Sequence, residues 1–438
     1  MTTQPVTNSL WRNRSFVRLW CGTILSALAD SAFFILLSWF IVDVTGSEAM
    51  LGTTLICMSI PRLLFMLVGG VAADRWSRKW IMFSSILARG VILVVFSLLL
   101  LDEGGGWLPI SAYVIAVLFG TVDAFFWPAR SSILPFLVTR DQLAPANSMM
   151  EISQQISMVG GPLVSALLIR TTHYPVMFMI LGVAFFAGTL FILSLRLQPA
   201  VTNHEPNDPA KESTPATSSY FKDIFSGIRF TFSVPILSII FVTSLFTNMT
   251  FSGPINMGLP LLVKNLGWDG SAYSSLSITL GIGTITGGII TGLLHGFRGK
   301  FLLLPFFLAV MGFAVSSLFF MQHISLGFAA MFTIGLMLSI TNIPYITYIQ
   351  SIVPAHMLGR VMSLLSLMSI GLGPVSYAIC SFVLEHNVAT PAVIMLTGGL
   401  GLALISMSLW LFREVRRMEQ HPAWARPTEV NPSRSLSS

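Results

Sequence analysis

The chain has 438 residues, of which 54% are hydrophobic and only 10% charged, with 24 Lys and Arg against 18 Asp and Glu. Soluble domains carry about 25% charged residues, so a mean hydropathy of +0.79 excludes a large soluble enzyme and points to an all-α membrane protein. The formal charge of +6 tracks membrane topology rather than a nucleic-acid partner, because the bases gather in the turns between apolar runs.

A helix needs about 20 apolar residues to cross the hydrocarbon. Twelve runs meet that length, beginning with six at 16–42, 49–71, 80–101, 108–129, 147–169 and 174–195. The first follows Arg12 and Arg14 and contains Ala27-Leu28-Ala29, an imitation of a cleavable signal peptide. The apolar run continues to Val42, so it reads as a spanning helix instead. It contains Asp30; the second run contains Arg62, the third Arg89 and the fourth Asp123. Glu151 stands near the start of the fifth, which also holds Gly161-Pro162.

Residues 196–219 are rich in Pro, Thr, Ser and Asn and read as a linker. In the segment 220–232, Phe221, Ile224, Phe225 and Ile228 share one helical face, which predicts an interfacial helix. Six further runs follow at 236–262, 271–294, 300–320, 324–349, 360–384 and 390–412. Five glycines in the eighth run, from Gly281 to Gly292, predict close helix packing. The expected organisation is a six-helix bundle over 1–195, a linker with interfacial helix over 196–235, a second bundle over 236–415 and a polar tail over 416–438.

Placing both termini in the cytoplasm puts all but four of the Lys and Arg on that side. The exceptions are Arg170 and Lys264, outside, and Arg62 and Arg89, within helices. Cytoplasmic loops favour Lys and Arg, so this asymmetry sets the orientation. The seven His residues fall in turns or tails without H-E-x-x-H spacing, which leaves no metal site to propose. Cys21, Cys57 and Cys380 sit singly in apolar runs and read as small buried side chains. Gly299-Lys300 lacks the frame of a phosphate-binding loop. No enzyme activity and no cofactor are expected.

The two bundles repeat weakly. Pro128 with Ser132-Ile133-Leu134-Pro135 returns as Pro344 with Ser351-Ile352-Val353-Pro354, and Gly161-Pro162 returns as Gly373-Pro374. Parallel repeats of this kind are a transporter architecture.

The most specific string is Gly69-Gly70-Val71-Ala72-Ala73-Asp74-Arg75-Trp76-Ser77-Arg78-Lys79. By itself it is a charged loop in which Asp74 could pair with Arg78 or cap the next helix. It resembles the loop between the second and third helices of major facilitator superfamily transporters, with Ser77 in place of the usual Gly. Asn13-Arg14-Ser15-Phe16, Ala29-Asp30, Ile60-Pro61-Arg62-Leu63-Leu64 and Asp123 through Arg130 resemble the efflux subgroup that contains macrolide exporters and the enterobactin exporter. The resemblance implies twelve transmembrane helices in two six-helix repeats that export by alternating access. It also implies a cytoplasmic latch of Asp74, Arg78 and Asp123. The antiporter signature of the fifth helix is partial: Gly161 and Pro162 are present, but Ser157 and Ser165-Ala166 stand where glycines are usual.

Charged side chains near the bilayer centre cost about 3 kcal/mol or more, so they ask for a reason. Burial raises a carboxylate pKa and a nearby cation lowers it; alternating the two lets an acid carry a proton. Asp30, the deepest acid, is the coupling candidate with Arg62. A purely structural Asp30–Arg62 pair is the alternative, and one residue can serve both ends. Glu151 is a candidate for an inner vestibule attractive to cations, or simply a solvated side chain.

The resulting expectation is a monomeric inner-membrane exporter of a small amphiphilic, drug- or macrolide-like compound, driven by proton antiport, with protons and membrane lipid as its other partners. Export of a siderophore or metabolite, or flipping of a lysophospholipid, fits the same scaffold.

Overall fold

Each apolar run becomes helix, and the caps follow from the residues at the run ends. The structure is a computed structural model that describes residues 10–101, 108–139, 142–195, 228–294, 297 and 300–418, with backbone alone at some helical positions, Asp74 among them. Helix α1 (Arg14–Thr45) opens at Asn13, whose side chain accepts from the Ser15 and Phe16 amides, both at 3.1 Å. Those two first-turn donors have no carbonyl partner within the helix. It closes at Gly46, where φ is +61°, a left-handed conformation that glycine adopts without a Cβ penalty.

Helix α2 (Glu48–Arg75) is capped by Ser47 and continues through Pro61. Helices α3 (Arg78–Leu99), α4 (Leu108–Ile133), α5 (Leu143–Thr171) and α6 (Tyr174–Leu193) complete the first repeat. Then α7 (Pro235–Gly253) passes through a π-helical turn at Pro254–Gly258 into α8 (Leu259–Asn265), together one span. Helices α9 (Gly270–Leu293), α10 (Leu304–Ser317) and α11 (Ile324–Ile352) follow. The eleventh apolar run is split into α12 (Ala355–Gly371) and α13 (Gly373–Glu385), and α14 (Pro391–Ser408) ends the series.

Among the described residues, 11 helical stretches are long and apolar enough to cross a membrane. The remaining expected span is the split one. The break is a single turn residue, Leu372, between Gly371 and Gly373-Pro374; proline alone does not force it, since α2, α5 and α11 run through Pro61, Pro162 and Pro344.

The charged loop is shorter than its sequence implies. Helix α2 carries on through Asp74 and Arg75, leaving Trp76 and Ser77 as the turn, and Ser77 is the N-cap of α3. Asp74 therefore belongs to the last turn of α2 and does not cap α3. Of the expected interfacial helix, residues 220–227 lie outside the described set and 228–233 are helical. The linker at 196–219 and the tail from 419 lie outside it as well.

Two compact units emerge, and they are not the two repeats. Unit one takes residues 1–211, 252–281 and 373–394; unit two takes 212–251, 282–372 and 395–438. Second-repeat segments enter unit one because α13 packs on α2 and α8 on α1. Within unit one, α2 lies along α4, α3 along α4 and α6, and α1 along α5 and α6. The α2–α4 approach is close: a Cβ added at Gly69 would stand 2.8 Å from the Ala124 carbonyl oxygen. Phe33, Phe40, Phe96 and Phe178 fill this core, with Phe40 edge-on to both Phe96 and Phe178 at 5.7 Å. In unit two, α10 packs on α11, and Phe241, Phe301, Tyr348 and Leu409 are buried together.

Candidate functional site

Four helices each contribute one charge to a chain of ion pairs within unit one. Arg89 of α3 is fully buried. Its Nη1 donates to both carboxylate oxygens of Asp30 on α1, at 2.6 Å to Oδ1, and to Asp123 Oδ1 on α4 at 3.2 Å. Arg62 of α2 completes the chain, its Nε 3.1 Å from Asp123 Oδ2. The order is thus Asp30, Arg89, Asp123, Arg62, two acids and two bases in alternation. Side-chain exposure is 24% at Asp30, 0% at Arg89, 9% at Asp123 and 32% at Arg62. Exposure is greatest at the two ends, Arg62 and Asp30, and Arg89 between the acids is fully buried.

The surroundings hold Arg89 more firmly than the carboxylates alone could. Its guanidinium carbon stands 4.8 Å from the centre of the Phe126 ring and 5.0 Å from that of Phe185, on the electron-rich faces that attract cations. Nη2 lies 3.4 Å from Ser26 Oγ, whereas Nε is buried without a partner among the described residues. One turn earlier, Ser85 Oγ donates to the Val122 carbonyl at 2.9 Å and fixes α3 beside Asp123. Because Nη1 is shared among three carboxylate oxygens, a small shift of charge decides which acid holds it.

This arrangement corrects two expectations. Arg62 does not pair with Asp30; it reaches Asp123, because Arg89 enters from α3 and occupies the space beside Asp30. Nor does Asp123 meet Arg78. It is already held by Arg62 and Arg89, while Arg78 lies over the Phe136 ring at 4.5 Å with its Nε buried and without a partner among the described residues. Asp74, the third expected member of that latch, has its side chain outside the described residues.

On α5, Gly161 and Pro162 sit within continuous helix. A Cβ at Gly161 would fall 2.8 Å from the Ala32 amide nitrogen, so this glycine lets α5 meet α1 just past Asp30. Ser165, one turn on, is buried and donates to the Ala32 carbonyl at 3.1 Å. The serine that departs from the family pattern therefore ties the same two helices. Glu151 is exposed on α5 and joins no ion pair with a described side chain.

A second polar cluster links first-repeat and second-repeat segments of unit one. Lys264 Nζ donates to Asp43 Oδ1 and to the Asp43 carbonyl, both at 2.9 Å, and Tyr174 donates to Asp43 Oδ2 at 2.7 Å. Arg170 Nη2 donates to Ser271 Oγ at 3.2 Å, and Trp39 stacks on Tyr273. The sequence places Lys264 outside and offers no partner for it. It also puts Arg89 and Asp123 in adjacent runs without joining them. A lone arginine in the middle of an apolar run was the available signal.

A sequence profile of the Major Facilitator Superfamily matches residues 19–378. The chain belongs to the Major Facilitator Superfamily. It is a multi-pass membrane transporter with the superfamily fold, and its charge chain sits in the first repeat of that fold. Among curated relatives, an uncharacterized MFS-type transporter, YkuC of Bacillus subtilis (strain 168), is 25% identical over 362 residues, 80% of this chain and 81% of that protein. The enterobactin exporter EntS of Escherichia coli O1:K1 / APEC is 27% identical over 370 residues, 82% of each chain. Among solved structures, the nucleoside transporter NupG aligns with a TM-score of 0.69 at 15% identity, covering 91% of this chain and 100% of its own. A D-xylose-proton symporter aligns with a TM-score of 0.69 at 13% identity, covering 92% and 98%. At such identities the structural likeness speaks for the fold alone.

Proposed function

We propose that this transporter exports a small amphiphilic compound across the cell inner membrane by alternating access, with proton entry as the driving reaction. The observation that carries the proposal is the alternating chain Asp30–Arg89–Asp123–Arg62. A proton taken up by the Asp30 carboxylate cancels the charge that holds Arg89 Nη1. The guanidinium then leans to Asp123, and α1 loses its charged tie to α3, keeping only the long Ser26 contact. Release of the proton restores the tie. Asp30 is the proton carrier in this scheme, Arg89 and Asp123 are the counter-charges, and Arg62 keeps Asp123 balanced whichever way Arg89 leans.

Both termini are proposed to be cytoplasmic, which places Asp43 and Lys264 at the external end. There the Asp43–Lys264–Tyr174 cluster ties first-repeat to second-repeat segments and serves as an external closure. Asp74 and Arg78 are proposed as the cytoplasmic latch, without Asp123 in this conformation. Gly161 and Pro162 set the α1–α5 contact that keeps Asp30 in place, and Glu151 borders the inner vestibule. The transporter works as a monomer within the lipid.

Similarity to EntS, 27% identical over 82% of both chains, favours a second reading in which the exported compound is a siderophore or related metabolite. The coupling step is the same in both.

Asp30→Asn tests the coupling. In proteoliposomes the variant is expected to lose accumulation against a gradient and substrate-driven proton movement, while passive substrate exchange survives. A variant that pumps at the wild-type rate under a pH gradient would remove Asp30 from the mechanism.

A further inference from the structure

Unit two contains a cavity with a different chemistry. Its volume is about 180 Å³. An engineered cavity of about 150 Å³ already holds a benzene ring, so the space takes one ring-sized group. It lies wholly within unit two, bounded by α7 and α11 with apolar side chains from α10, α12 and the segment after α14.

The spacing of the polar side chains makes the walls. Thr243, Ser244, Thr247 and Asn248 repeat at three- and four-residue intervals and so share one face of α7. Thr341, Asn342 and Tyr345 do the same on α11. Leu308, Leu409 and Met418 supply an apolar floor and are buried. No described residue lining the cavity is charged. Some of the polar groups are already engaged within their own helix: Asn248 Nδ2 donates to the Ser244 carbonyl at 2.8 Å, and Thr341 Oγ1 to the Met337 carbonyl at 2.8 Å. The hydroxyls of Thr243, Ser244 and Tyr345 and the amide of Asn342 are left to face the space.

We infer that this cavity is a binding site for an uncharged, ring-sized group that carries a hydroxyl or carbonyl. An apolar floor with neutral donors and acceptors on two walls stabilises such a group. A charged group gains no counter-ion from these walls and keeps its full desolvation cost, which is far larger than that of a hydroxyl. A plain hydrocarbon ring leaves the facing hydroxyls and amide unpaired, and a site built for a hydroxyl discriminates against the analogue lacking it. The inference does not depend on proton coupling, since binding is read without transport.

The test uses the full chain in nanodiscs, with empty nanodiscs as the blank for lipid partitioning. Fluorine NMR measures binding of 4-fluorophenol, fluorobenzene and the 4-fluorobenzylammonium cation at neutral pH. The site is expected to bind 4-fluorophenol about tenfold more tightly than fluorobenzene, the effect of one or two hydrogen bonds, and to bind the cation more weakly than either. Asn342→Leu combined with Tyr345→Phe is expected to erase the phenol's advantage while fluorobenzene still binds, which shows the cavity intact. Equal binding of phenol and benzene by the wild-type chain would overturn the inference. So would a cation that binds as tightly as the phenol, or a phenol preference that survives the double substitution. Should the double variant fail to bind fluorobenzene, Thr243→Val alone carries the test, with a reduced phenol preference expected and an unchanged one decisive against the site.

Discussion

The interiors of the two units solve the problem of buried polarity in opposite ways. Unit one buries full charges and balances them in series, Asp30 against Arg89 against Asp123 against Arg62. Unit two lines its cavity with hydroxyls and amides and places no described charge there. The difference has a mechanical consequence. A charge chain is sensitive to a single proton, because losing one carboxylate charge unbalances its neighbour. A neutral polar wall is indifferent to protons but sensitive to the shape and hydrogen bonding of a guest. The proposed division of labour is therefore coupling in the first repeat and recognition in the second.

The largest effect is expected from removing Arg89. Arg89→Ala leaves Asp30 and Asp123 facing each other without the buried cation between them, and breaking a buried pair costs about 3–5 kcal/mol. The thermal midpoint of the purified protein, read by fluorescence-detected size exclusion, should fall steeply, with little folded protein recovered. Pairing Arg89→Leu with Asp30→Asn leaves only the balanced Asp123–Arg62 pair. That double variant should recover most of the lost stability, since the residues act as one network, yet should not pump. A single variant as stable as wild type, or a double no better than the single, would break the contrast between the units. Arg89→Lys should also fail, because an ammonium has no planar face for the Phe126 and Phe185 rings and no second nitrogen for Ser26.

The fold was legible in the sequence wherever a physical rule acts locally. Apolar length marked the spans, while the caps at Asn13, Gly46 and Ser47 emerged only with the backbone. The break at Leu372 was not readable, because the same Gly-Pro pair sits in unbroken helix at Gly161-Pro162. Asp30, Arg62, Arg89 and Asp123 were each readable as buried charges, since hydrocarbon makes any charge conspicuous. Their pairing was not. It depends on which faces of α1 to α4 turn inward, and a helix face is set by packing partners far away in the chain. The cavity of unit two was invisible for a related reason: Thr, Ser and Asn bond to their own helix and are unremarkable in a membrane span. The units themselves could not be read from the linker, because α8 and α13 pack across the repeat boundary.

A smaller effect separates packing from chemistry. Gly161 of unit one and Gly312 of unit two both meet backbone: a Cβ on Gly312 would stand 2.6 Å from the Ala403 nitrogen. Overpacking such contacts costs about 1–3 kcal/mol, so Gly161→Leu and Gly312→Leu should lower the thermal midpoint by similar amounts. Only Gly161→Leu should also change the ratio of protons moved to substrate moved in proteoliposomes, because α5 there presses on α1 beside Asp30. If Gly312→Leu alters that ratio equally, coupling is not confined to the first repeat.

The smallest effect should come from the other ion pair of unit one, Asp43–Lys264. Its members are 41% and 36% exposed, in contrast to the fully buried Arg89. An exposed pair is weakened by water and by salt, and is typically worth about 0.2–1 kcal/mol. Lys264→Gln should therefore shift the thermal midpoint only slightly, and the shift should shrink further as ionic strength rises. Its effect should appear in kinetics instead. Asp43 keeps its bond from Tyr174, but the tie to α8 loses its charge, so the segments it joins should part more often. Cysteines placed at Val44 and Gly267, near the two partners, should become more reactive toward a membrane-impermeant maleimide in Lys264→Gln than in the parent. A stability loss as large as that of Arg89→Ala would mean that exposure does not govern the worth of these pairs. Unchanged labelling would remove Lys264 from the closure, leaving Arg170–Ser271 and the Trp39–Tyr273 stack to hold that end.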